Sequence, residues 1–333
     1  MRVTLKDIAV DTGYSVSTVS RVLNGSDKIS TETKEEILES AEKFDYQIPK
    51  VRNAKTSKQF LNIALVISGF HEGEFYTSFF HGLNKAGRAN NIRLFLHGVF
   101  NPIEELEETM HEITRNYYDG AILFIPEFKR FDYNELKNVI PPSFPIVSNA
   151  LIENPVFSTI TFDSYTGGHL AATTFEEKGH QKVGIIKGSI ERPESRFRHN
   201  GFLDYIQQRE NMELYWKYDG DFTFESGYEA FENFQKHELK PTAIFASNDD
   251  MCNGFMEAAV ANGYNFPDDI ATIGYDDLPV CRHNRPTMST IKTDYQKLGN
   301  ATMKLIREKL SNPTDSNNML SFVPVSIVER ESS

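Results

Sequence analysis

Cysteine is scarce in this chain, which has 333 residues and two cysteines, Cys252 and Cys281. Two cysteines are too few for a disulfide framework or for a zinc site with four cysteine ligands. No apolar run approaches the ~18–20 residues that a membrane-spanning helix requires, and the N-terminal sequence MRVTLKDIAV lacks the apolar stretch of a secretory signal. We therefore expect a cytoplasmic protein with no membrane segment, no structural metal and no cofactor.

Basic residues are also in deficit. The sequence has 35 Lys and Arg against 47 Asp and Glu, a net charge of −12, and a total of that sign disfavours binding to nucleic acid. The charge is unevenly distributed, because residues 1–60 carry a balance of +1 and the remaining 273 carry −13. Residues 46–60 contain four basic residues, no acidic residue and Pro49. This stretch indicates a basic linker between two parts of the chain.

The segment before the linker has the pattern of three short helices. Thr4 can cap a first helix, LKDIAVDT, whose apolar residues recur at helical spacing. Gly13 ends this helix, and Ser15 can cap a second one, VSTVSRVLN. A third helix begins at Thr31. Because a three-residue turn containing glycine joins the first two helices, the pattern predicts a helix-turn-helix unit.

After the linker, short apolar runs alternate with amphipathic stretches. The apolar runs are typical of buried parallel strands and cover residues 62–68, 92–98, 120–126, 144–149, 182–188, 242–247 and 270–275. The helical stretches lie around residues 76–90, 103–117, 164–178, 197–209, 225–236 and 249–262. So many strand–helix units predict an α/β core of two doubly wound lobes behind the helical head.

The second predicted helix carries side chains that suit a DNA contact. A recognition helix places short polar side chains and a long basic one on the face that enters the major groove. In SVSTVSRVLN, residues 15–24, such a face is formed by Val16, Ser17, Ser20 and Arg21, while the other valines and the leucine point inward. The alternative is an ordinary helical hairpin with a solvated arginine.

Residues 4–24, TLKDIAVDTGYSVSTVSRVLN, follow the pattern T-L-x-D-[IV]-A-x-x-A-G-V-S-x-x-T-V-S-R-V-[LI]-N, with departures at Thr12 and Tyr14. In this they resemble the DNA-binding head of the LacI/GalR family of bacterial transcription regulators. The resemblance implies that Val16 and Ser17 read bases, with Arg21 beside them. The predicted DNA contacts are Thr4, Leu5, Ser15, Val16, Ser17, Thr18, Ser20, Arg21, Asn24, Lys50, Arg52 and Lys55.

The linker departs from the family. The resemblance implies a head over residues 1–48, a hinge over 49–60 and a core over 61–333. Family hinges usually have the sequence Y-x-P-N-x-x-A-R-x-L and fold on DNA into a helix whose leucine wedges into the minor groove. Here the sequence YQIPKVRNAKT has one extra residue before its proline, and Lys55 or Thr56 stands where the leucine is expected. Either the wedge is lost or another residue replaces it, while phosphate contacts by the basic side chains remain expected.

Motifs in the core resemble the same family at lower density. YYDGAILFIP, TFDSYTGGHLAATTFEEKGHQKVGIIKG, TAIFASNDDMCNGFMEAA and DIATIGYDDLP follow its patterns. The implied fold is that of the periplasmic sugar-binding proteins, in which the ligand lies in the cleft between two lobes. The expected N-terminal lobe covers about residues 61–162 and 293–322, and the expected C-terminal lobe covers about 163–292 and 323–333.

Sugar chemistry selects the candidate effector contacts. Hydroxyl groups suit side chains with several donors or acceptors, and the ring face suits an aromatic side chain. Ligands of open α/β sheets bind at the C-terminal ends of the strands, where Ser68, Asn248 and Asp276 follow predicted strands. The family resemblance adds the arginine of its R-x-x-G motif and the aromatic positions. The predicted effector contacts are Ser68, Phe75, Tyr76, Asn149, Arg198, Phe222, Asn248, Asp276 and Tyr295.

Each of these candidates has a structural alternative. Asn248 and Asp276 also suit caps of the helices or turns that follow their strands. Arg198 suits an ion pair, either with Glu194 at the surface or with Asp276 in the interior. The aromatic candidates equally suit packing in the core or between the lobes. A metal site is not favoured, because the sequence HEGE at residues 71–74 has no second pair of ligands at metal-binding spacing.

Catalytic motifs are missing: the sequence has no GxSxG, GxxxxGK[ST] or HExxH. The lack of these motifs predicts no enzyme, and the family resemblance implies a repressor of a carbohydrate-utilisation operon, controlled by a sugar or sugar derivative bound between the lobes. A homodimer is expected to bind a pseudo-palindromic operator in double-stranded DNA, at the nucleoid. One alternative is a regulator of the same family with a purine or a phosphocarrier protein as corepressor. The other is a solute-binding receptor with no DNA role.

Overall fold

The computed structural model describes residues 4–23, 29–44, 46, 60–69, 73–312 and 317–333. Contacts divide the chain into two units, Met1–Gln59 and Phe60–Ser333, which are called the head and the core below. Across these described ranges, no helix is both long and apolar enough to cross a bilayer.

Three helices form the head: α1, Leu5–Thr12; α2, Val16–Leu23; and α3, Thr31–Lys43. A capping box between Thr4 and Asp7 starts α1, and Gly13, with a φ of 73°, ends it in the left-handed region that glycine tolerates. The apolar faces of the three helices meet in one cluster, which contains Ile8, Ala9, Val19, Val22, Leu23, Ile37 and Ala41. The predicted helix-turn-helix unit is therefore present, and its inward residues are those that the pattern indicated.

The N-terminal lobe of the core is built on a sheet of six strands. These are β1, Leu61–Ser68; β2, Ile92–Val99; β3, Gly120–Phe124; β4, Ile146–Ser148; β5, Ser158–Phe162; and β11, Leu320–Val323. The strands follow the order β11-β5-β4-β3-β1-β2, so β2 lies at one edge, and every neighbouring pair is parallel. The helices of this lobe are α4, Glu74–Ala89; α5, Pro102–Arg115; α6, Arg130–Val139; and α12, Tyr295–Ser311.

The C-terminal lobe is built on a second sheet of six strands. These are β6, Lys182–Lys187; β7, Glu213–Asp219; β8, Ala243–Ala246; β9, Ala271–Asp276; β10, Ser289–Lys292; and β12, Ser326–Val328. Their order is β12-β10-β9-β8-β6-β7, with β12 alone antiparallel to its neighbour. The helices are α7, Ser164–Glu177; α8, Pro193–Gln207; α9, Phe224–Lys236; α10, Asp249–Ala261; and α11, Val280–His283.

The chain passes between the two lobes three times: after β5, after β10 and after β11. Both sheets are almost wholly parallel, so their central strands are covered on both faces and have continuous apolar sequences. In β1, for example, the side chains from Ile63 to Ile67 are fully buried. The C-terminal ends of the strands bear the loops that form the cavity described below.

The predicted fold class, a helical head followed by two doubly wound α/β lobes, is confirmed. All seven predicted strands are present, as β1–β4, β6, β8 and β9. The strands β5, β7 and β10–β12 are additional, as are the helices α6, α11 and α12. The sequence of β5, STITF, is fully buried although three of its five residues are polar, so its apolar pattern is weak and the strand was not predicted.

Candidate functional site

The exposed face of α2 contains the predicted base-reading residues. Ser15 caps the helix, because its Oγ accepts a hydrogen bond of 3.1 Å from the backbone nitrogen of Thr18. Val16, with 40% of its surface exposed, Ser17 and Arg21 face solvent. Short polar groups and one guanidinium are thus available to a major groove along this face.

The remaining predicted DNA contacts differ in their surroundings. Thr4 caps α1, and its backbone nitrogen donates to Asp7 at 2.7 Å. Leu5 packs against the apolar cluster of the head, and Thr18 and Ser20 are half-buried. Asn24, Lys50, Arg52 and Lys55 lie outside the described residues.

Hydrogen bonds join α3 of the head to α1 and to the turn that follows α1. Asp11 of α1 accepts hydrogen bonds of 2.7 Å from Ser40 and from the ammonium of Lys43, both on α3. The hydroxyl of Tyr14, in the turn between α1 and α2, donates to Glu36 at 2.7 Å. The ammonium of Lys43 is the main reason that the pKa of the Asp11 carboxyl lies below its usual value. These contacts hold α3 against α1 and against the turn that leads into α2.

A cavity of about 530 Å³, measured with its opening to solvent, lies between the two lobes of the core. Residues of the N-terminal lobe contribute mainly aromatic surface, and those of the C-terminal lobe contribute all five charged side chains of the lining. The lining residues are Phe75, Tyr76, Phe124, Pro126, Arg192, Glu194, Arg198, Phe222, Asn248, Asp250 and Asp276.

Six of the nine predicted effector residues line this cavity: Phe75, Tyr76, Arg198, Phe222, Asn248 and Asp276. The other three are not among the lining residues and make contacts within the protein. Ser68 is buried at the end of β1 and donates a hydrogen bond to Glu127. Asn149 donates to the carbonyl of Ile160 at 2.8 Å and to the hydroxyl of Thr302 at 2.9 Å. No ligand contact of any of the nine is tested by the structure, so these roles stay predictions.

Tyr295, the third residue outside the lining, begins α12 and packs within the aromatic cluster of the N-terminal lobe. Its ring stands edge-on to Phe75, with the ring centroids 6.0 Å apart. The phenol oxygen is buried without a hydrogen-bond partner. Burial, followed by the charge of Asp276, raises the pKa of this phenol well above its ordinary value. Tyr295 therefore supports the cavity wall from behind.

Arg198 is the buried cation of the cavity, with 8% of its surface exposed. Its Nη1 donates to the carbonyl of Ser247 at 2.5 Å, while its Nε has no hydrogen-bond partner. Burial alone lowers the pKa of the guanidinium, but Tyr275, Asp276 and Glu194 raise it, and the outcome is a raised pKa. An arginine that is held in place and charged, with an unused donor, is suited to binding polar ligand groups.

Asp276 is the buried acid at the end of β9. Burial is the strongest influence on its carboxyl group and raises the pKa to about 8, although Arg198 acts in the opposite direction. Its φ is 121°, a conformation that residues other than glycine rarely adopt. Strained backbone of this kind is common at ligand sites, where the surrounding structure maintains it.

Phe222 places an aromatic face on the C-terminal side of the cavity. It too has a left-handed backbone, with a φ of 77°. Its carbonyl accepts a hydrogen bond of 2.8 Å from Asn248. The absence of a side chain at Gly188 makes room for the ring, because a Cβ there would lie 2.0 Å from Phe222 Cζ. The position of the ring thus depends on one glycine and one asparagine.

Asn248 has the capping role that the sequence offered as its alternative. Its Oδ1 accepts a hydrogen bond of 3.0 Å from the backbone nitrogen of Met251, at the start of α10. Because its Nδ2 holds Phe222, one side chain both caps the helix and fixes the aromatic face. A direct contact between Asn248 and a ligand stays a prediction.

Five lining residues were not predicted: Phe124, Pro126, Arg192, Glu194 and Asp250. Phe124 ends β3, a strand that the sequence did predict, so the rule about C-terminal strand ends could have found it. Arg192 and Glu194 stand just before α8 and in its first turn. They contact the opposite lobe, and no local sequence pattern signals that position.

Two side chains that line the cavity have a buried polar atom without a hydrogen-bond partner: Nε of Arg198 and Oε2 of Glu194. Ser195, Ser247 and Tyr275, each next in sequence to a lining residue, also have unpaired buried hydroxyls. Leaving a buried polar atom unpaired costs about 1–3 kcal/mol, so the two lining atoms are suited to a polar ligand or ordered water. The described residues contain no group of His, Cys, Asp and Glu side chains that could hold a metal.

Two known family profiles match parts of the chain. The profile of bacterial regulatory proteins of the lacI family matches residues 4–48. The profile of a periplasmic binding protein-like domain matches residues 172–333. These matches correspond to the helical head and to most of the C-terminal lobe with its returning strand.

Curated relatives align over nearly the whole chain. A probable HTH-type transcriptional repressor ExuR of Bacillus subtilis (strain 168) is 32% identical over 318 residues, which cover 93% of this chain and 92% of the relative. An HTH-type transcriptional repressor PurR of Mannheimia succiniciproducens is 26% identical over 332 residues, which cover 98% of each chain.

Solved structures share the fold of the full chain. The Lac repressor bound to ONPG in the repressed state superposes with a TM-score of 0.74 at 23% identity and covers 100% of both chains. The complex of the transcriptional regulator CelR with cellobiose gives a TM-score of 0.72 at 24% identity, also with full coverage of both. The sequence motifs, the fold and the repressor relatives agree, and the chain belongs to the lacI family of bacterial regulatory proteins, as a DNA-binding transcriptional repressor and not an enzyme.

Proposed function

We propose that this repressor controls genes of carbohydrate use and that its effector is a sugar or sugar derivative bound in the interlobe cavity. The observation that carries the proposal is the convergence of Arg198, Asn248 and Asp276 with the ring of Phe222 on one cavity. A sugar offers many hydroxyls, each able to donate and accept, together with an apolar ring face. A cavity with two guanidiniums, three carboxyl groups and an aromatic wall matches that combination.

The buried donors and acceptors without partners favour the same ligand class. Unpaired polar atoms occur as acceptors, such as Glu194 Oε2, and as donors, such as Arg198 Nε. A ligand hydroxyl can satisfy either kind of atom, and a polyhydroxylated ligand can satisfy several at once. The structural relative CelR was solved with cellobiose, which agrees with this assignment.

A purine is the second candidate, because two observations favour it. Aromatic side chains line both sides of the cavity: Phe75, Tyr76 and Phe124 belong to the N-terminal lobe, and Phe222 belongs to the C-terminal lobe. A flat base fits between such surfaces, and Arg192 supplies a donor suited to a carbonyl group. The PurR relatives, at 25–26% identity, are compatible with this alternative. The three carboxyl groups of the cavity favour the sugar, because each can pair with hydroxyl groups.

DNA binding in this proposal requires two heads. A two-fold dimer reads a pseudo-palindromic operator because each head contacts one half-site. In the core, the edge strand β2 and the start of α5 expose apolar side chains, with Phe100 83% and Ile103 80% exposed. Apolar surface of that kind marks protein–protein contacts, so we assign it to the homodimer. Such a repressor acts in the cytoplasm, at the nucleoid.

Effector control follows from the position of the cavity. A ligand that contacts both lobes favours one arrangement of the lobes over another, and it shifts the equilibrium by its difference in affinity for the two. The hinge, residues 49–60, would transmit that arrangement to the heads. Converting a mostly bound repressor into a mostly released one requires a preference of ~10²–10⁴-fold.

Thermal-shift screening of the full chain tests the ligand class. A compound present at 100 times its Kd stabilises the folded state by about 2.7 kcal/mol. We expect neutral sugars or sugar acids to raise the melting temperature and purine bases to leave it unchanged. A shift with a purine and none with any sugar would replace the first candidate by the second. The matched control is Asp276→Asn, which removes a lining carboxylate with little change in shape and should reduce the shift by a sugar.

A further inference from the structure

Six consecutive residues of the C-terminal lobe make four polar contacts with the N-terminal lobe. They are residues 191–196, with the sequence ERPESR, which lead into α8 and form its first turn. Their partners lie in two loops of the other lobe: residues 127–129, after β3, and residues 151–153, after β4. A segment this short with so many partners across the cleft is a candidate for holding the lobes together.

Two of the four contacts join the segment to the loop after β3. Arg192 Nη2 lies 3.1 Å from Oε1 of Glu127, and the other oxygen of Glu127 accepts a hydrogen bond from Ser68. Glu191 lies 2.8 Å from the ammonium of Lys129. The charges are therefore complementary, because in each pair an acidic residue of one lobe meets a basic residue of the other.

The other two contacts join the segment to the loop after β4. The backbone nitrogen of Leu151 donates a hydrogen bond of 2.6 Å to Oε1 of Glu194. Arg196 forms an ion pair with Glu153, and its Nη1 also donates to the carbonyl of Ile190 at 3.0 Å. That second bond fixes the guanidinium within its own lobe, so it reaches the other lobe in a set orientation.

The same segment lines the effector cavity. Arg192 and Glu194 are among the lining residues, and Oε2 of Glu194 is buried without a partner. One oxygen of Glu194 thus crosses the cleft while the other is available to a ligand donor. A group bound at this oxygen would contact the segment that connects the lobes.

We propose that residues 191–196 form an interlobe latch that holds the core closed through charge pairs and loosens when salt screens them. The inference extends the proposed function to its conformational control but does not depend on the identity of effector or operator. Screening is strong for these pairs because several are partly exposed and the Debye length falls from about 10 Å at 0.1 M salt to about 3 Å at 1 M.

The test measures the distance between the lobes in the full chain without ligand or DNA. Spin labels are attached at Lys137→Cys on α6 and Lys217→Cys on β7, two exposed positions in different lobes, whereas the native cysteines are buried.

The latch variant Glu191→Gln/Arg196→Gln removes two charge pairs without changing a lining residue. The control Lys304→Gln removes a pair of similar exposure with Glu308 inside α12.

At low salt we expect the labelled protein and the control to give a narrow, short distance distribution and the latch variant a broader, longer one. At 1 M salt all three should resemble the latch variant. The proposal would be overturned if the latch variant kept the short distance at low salt. It would also be overturned if the distance in the labelled protein without the latch substitutions did not change with salt. A cooperative thermal transition of the variant establishes that it is folded. Since no sugar or operator enters the measurement, failure of the latch and failure of the sugar assignment are separate results.

Discussion

The guanidinium of Arg198 lies over the ring of Tyr275, with the Cζ atom 3.7 Å from the ring centroid. The two residues belong to different elements, α8 and β9, and both are buried. Stacking on the ring and the hydrogen bond to Ser247 fix the arginine from two directions, and the Nε atom remains unused. A cation held in this way is set in place before a ligand arrives, which reduces the entropy cost of binding.

Gly188 is predicted to be required for full effector affinity. In Gly188→Ala the new Cβ would meet the ring of Phe222 at 2.0 Å, so the ring must leave its position over the cavity. We expect effector affinity to fall at least tenfold, about 1.4 kcal/mol, as measured by calorimetric titration. The neighbouring variant Ser189→Ala serves as control and should bind normally. An unchanged affinity in Gly188→Ala would show that Phe222 does not form the aromatic face for the ligand.

Asp276 is predicted to make stability depend on pH. Its pKa in the folded chain is about 8, against an ordinary value of 3.8, so the folded state holds a proton that the unfolded state releases between these values. The free energy of unfolding therefore falls as the pH rises from about 4 to about 8 and then levels off.

The variant Asp276→Asn isolates this contribution, because asparagine does not titrate. Urea denaturation at a series of pH values should show a shallower decline for the variant than for the original chain between pH 6 and 8. Asp249, whose burial raises its pKa to about 6, remains in both proteins and gives a common decline at lower pH. Parallel curves over the whole range would contradict the prediction.

Arg21 is predicted to serve the DNA contact alone. It is exposed on α2 in the head, so its replacement leaves the apolar cluster intact. Arg21→Ala should weaken operator binding by about 1–3 kcal/mol, as measured by fluorescence anisotropy, while the melting-temperature shift by effector persists. Lys137→Ala removes the same charge from the surface of the core and should leave operator affinity unchanged. If both variants lose affinity equally, net charge and not the recognition helix accounts for the effect.

The apolar surface near β2 is predicted to form the dimer. Phe100→Glu places a charge on that surface and should convert the dimer into a monomer in sedimentation velocity. Phe131, on α6, is also exposed, at 71%, and Phe131→Glu should remain dimeric. A dimer that survives Phe100→Glu would move the interface to another face of the core.

The sequence predicted those parts of the fold that local pattern determines. The continuous apolar runs of β1, β3 and β8 identify buried parallel strands because such strands are covered on both faces. The edge strand β7, with the sequence ELYWKYD, mixes charged and aromatic residues and carries no such pattern. The helix α12 follows the second crossing between lobes, and none of the predicted helical stretches covers it.

The candidate site was predicted where it depends on strand ends, and less well where it depends on contacts between lobes. Asp276 and Asn248 follow strands, so the parallel sheet brings them to one edge. Arg192 and Glu194 reach the cavity because the two lobes of the core meet there. Ser68 is not among the lining residues, and its hydroxyl donates a hydrogen bond to Glu127. These two residues are 59 positions apart in sequence.

The most direct test of effector control is operator binding measured with and without the compound that stabilises the chain, in the original protein and in Arg198→Ala. The account predicts equal operator affinity for both proteins without the compound, because Arg198 belongs to the core and Arg21 to the head. With the compound, the affinity of the original protein should change by ~10²–10⁴-fold, and that of Arg198→Ala should stay constant. A compound that binds the original protein but leaves its operator affinity unchanged, or that still acts on Arg198→Ala, would contradict control through this cavity.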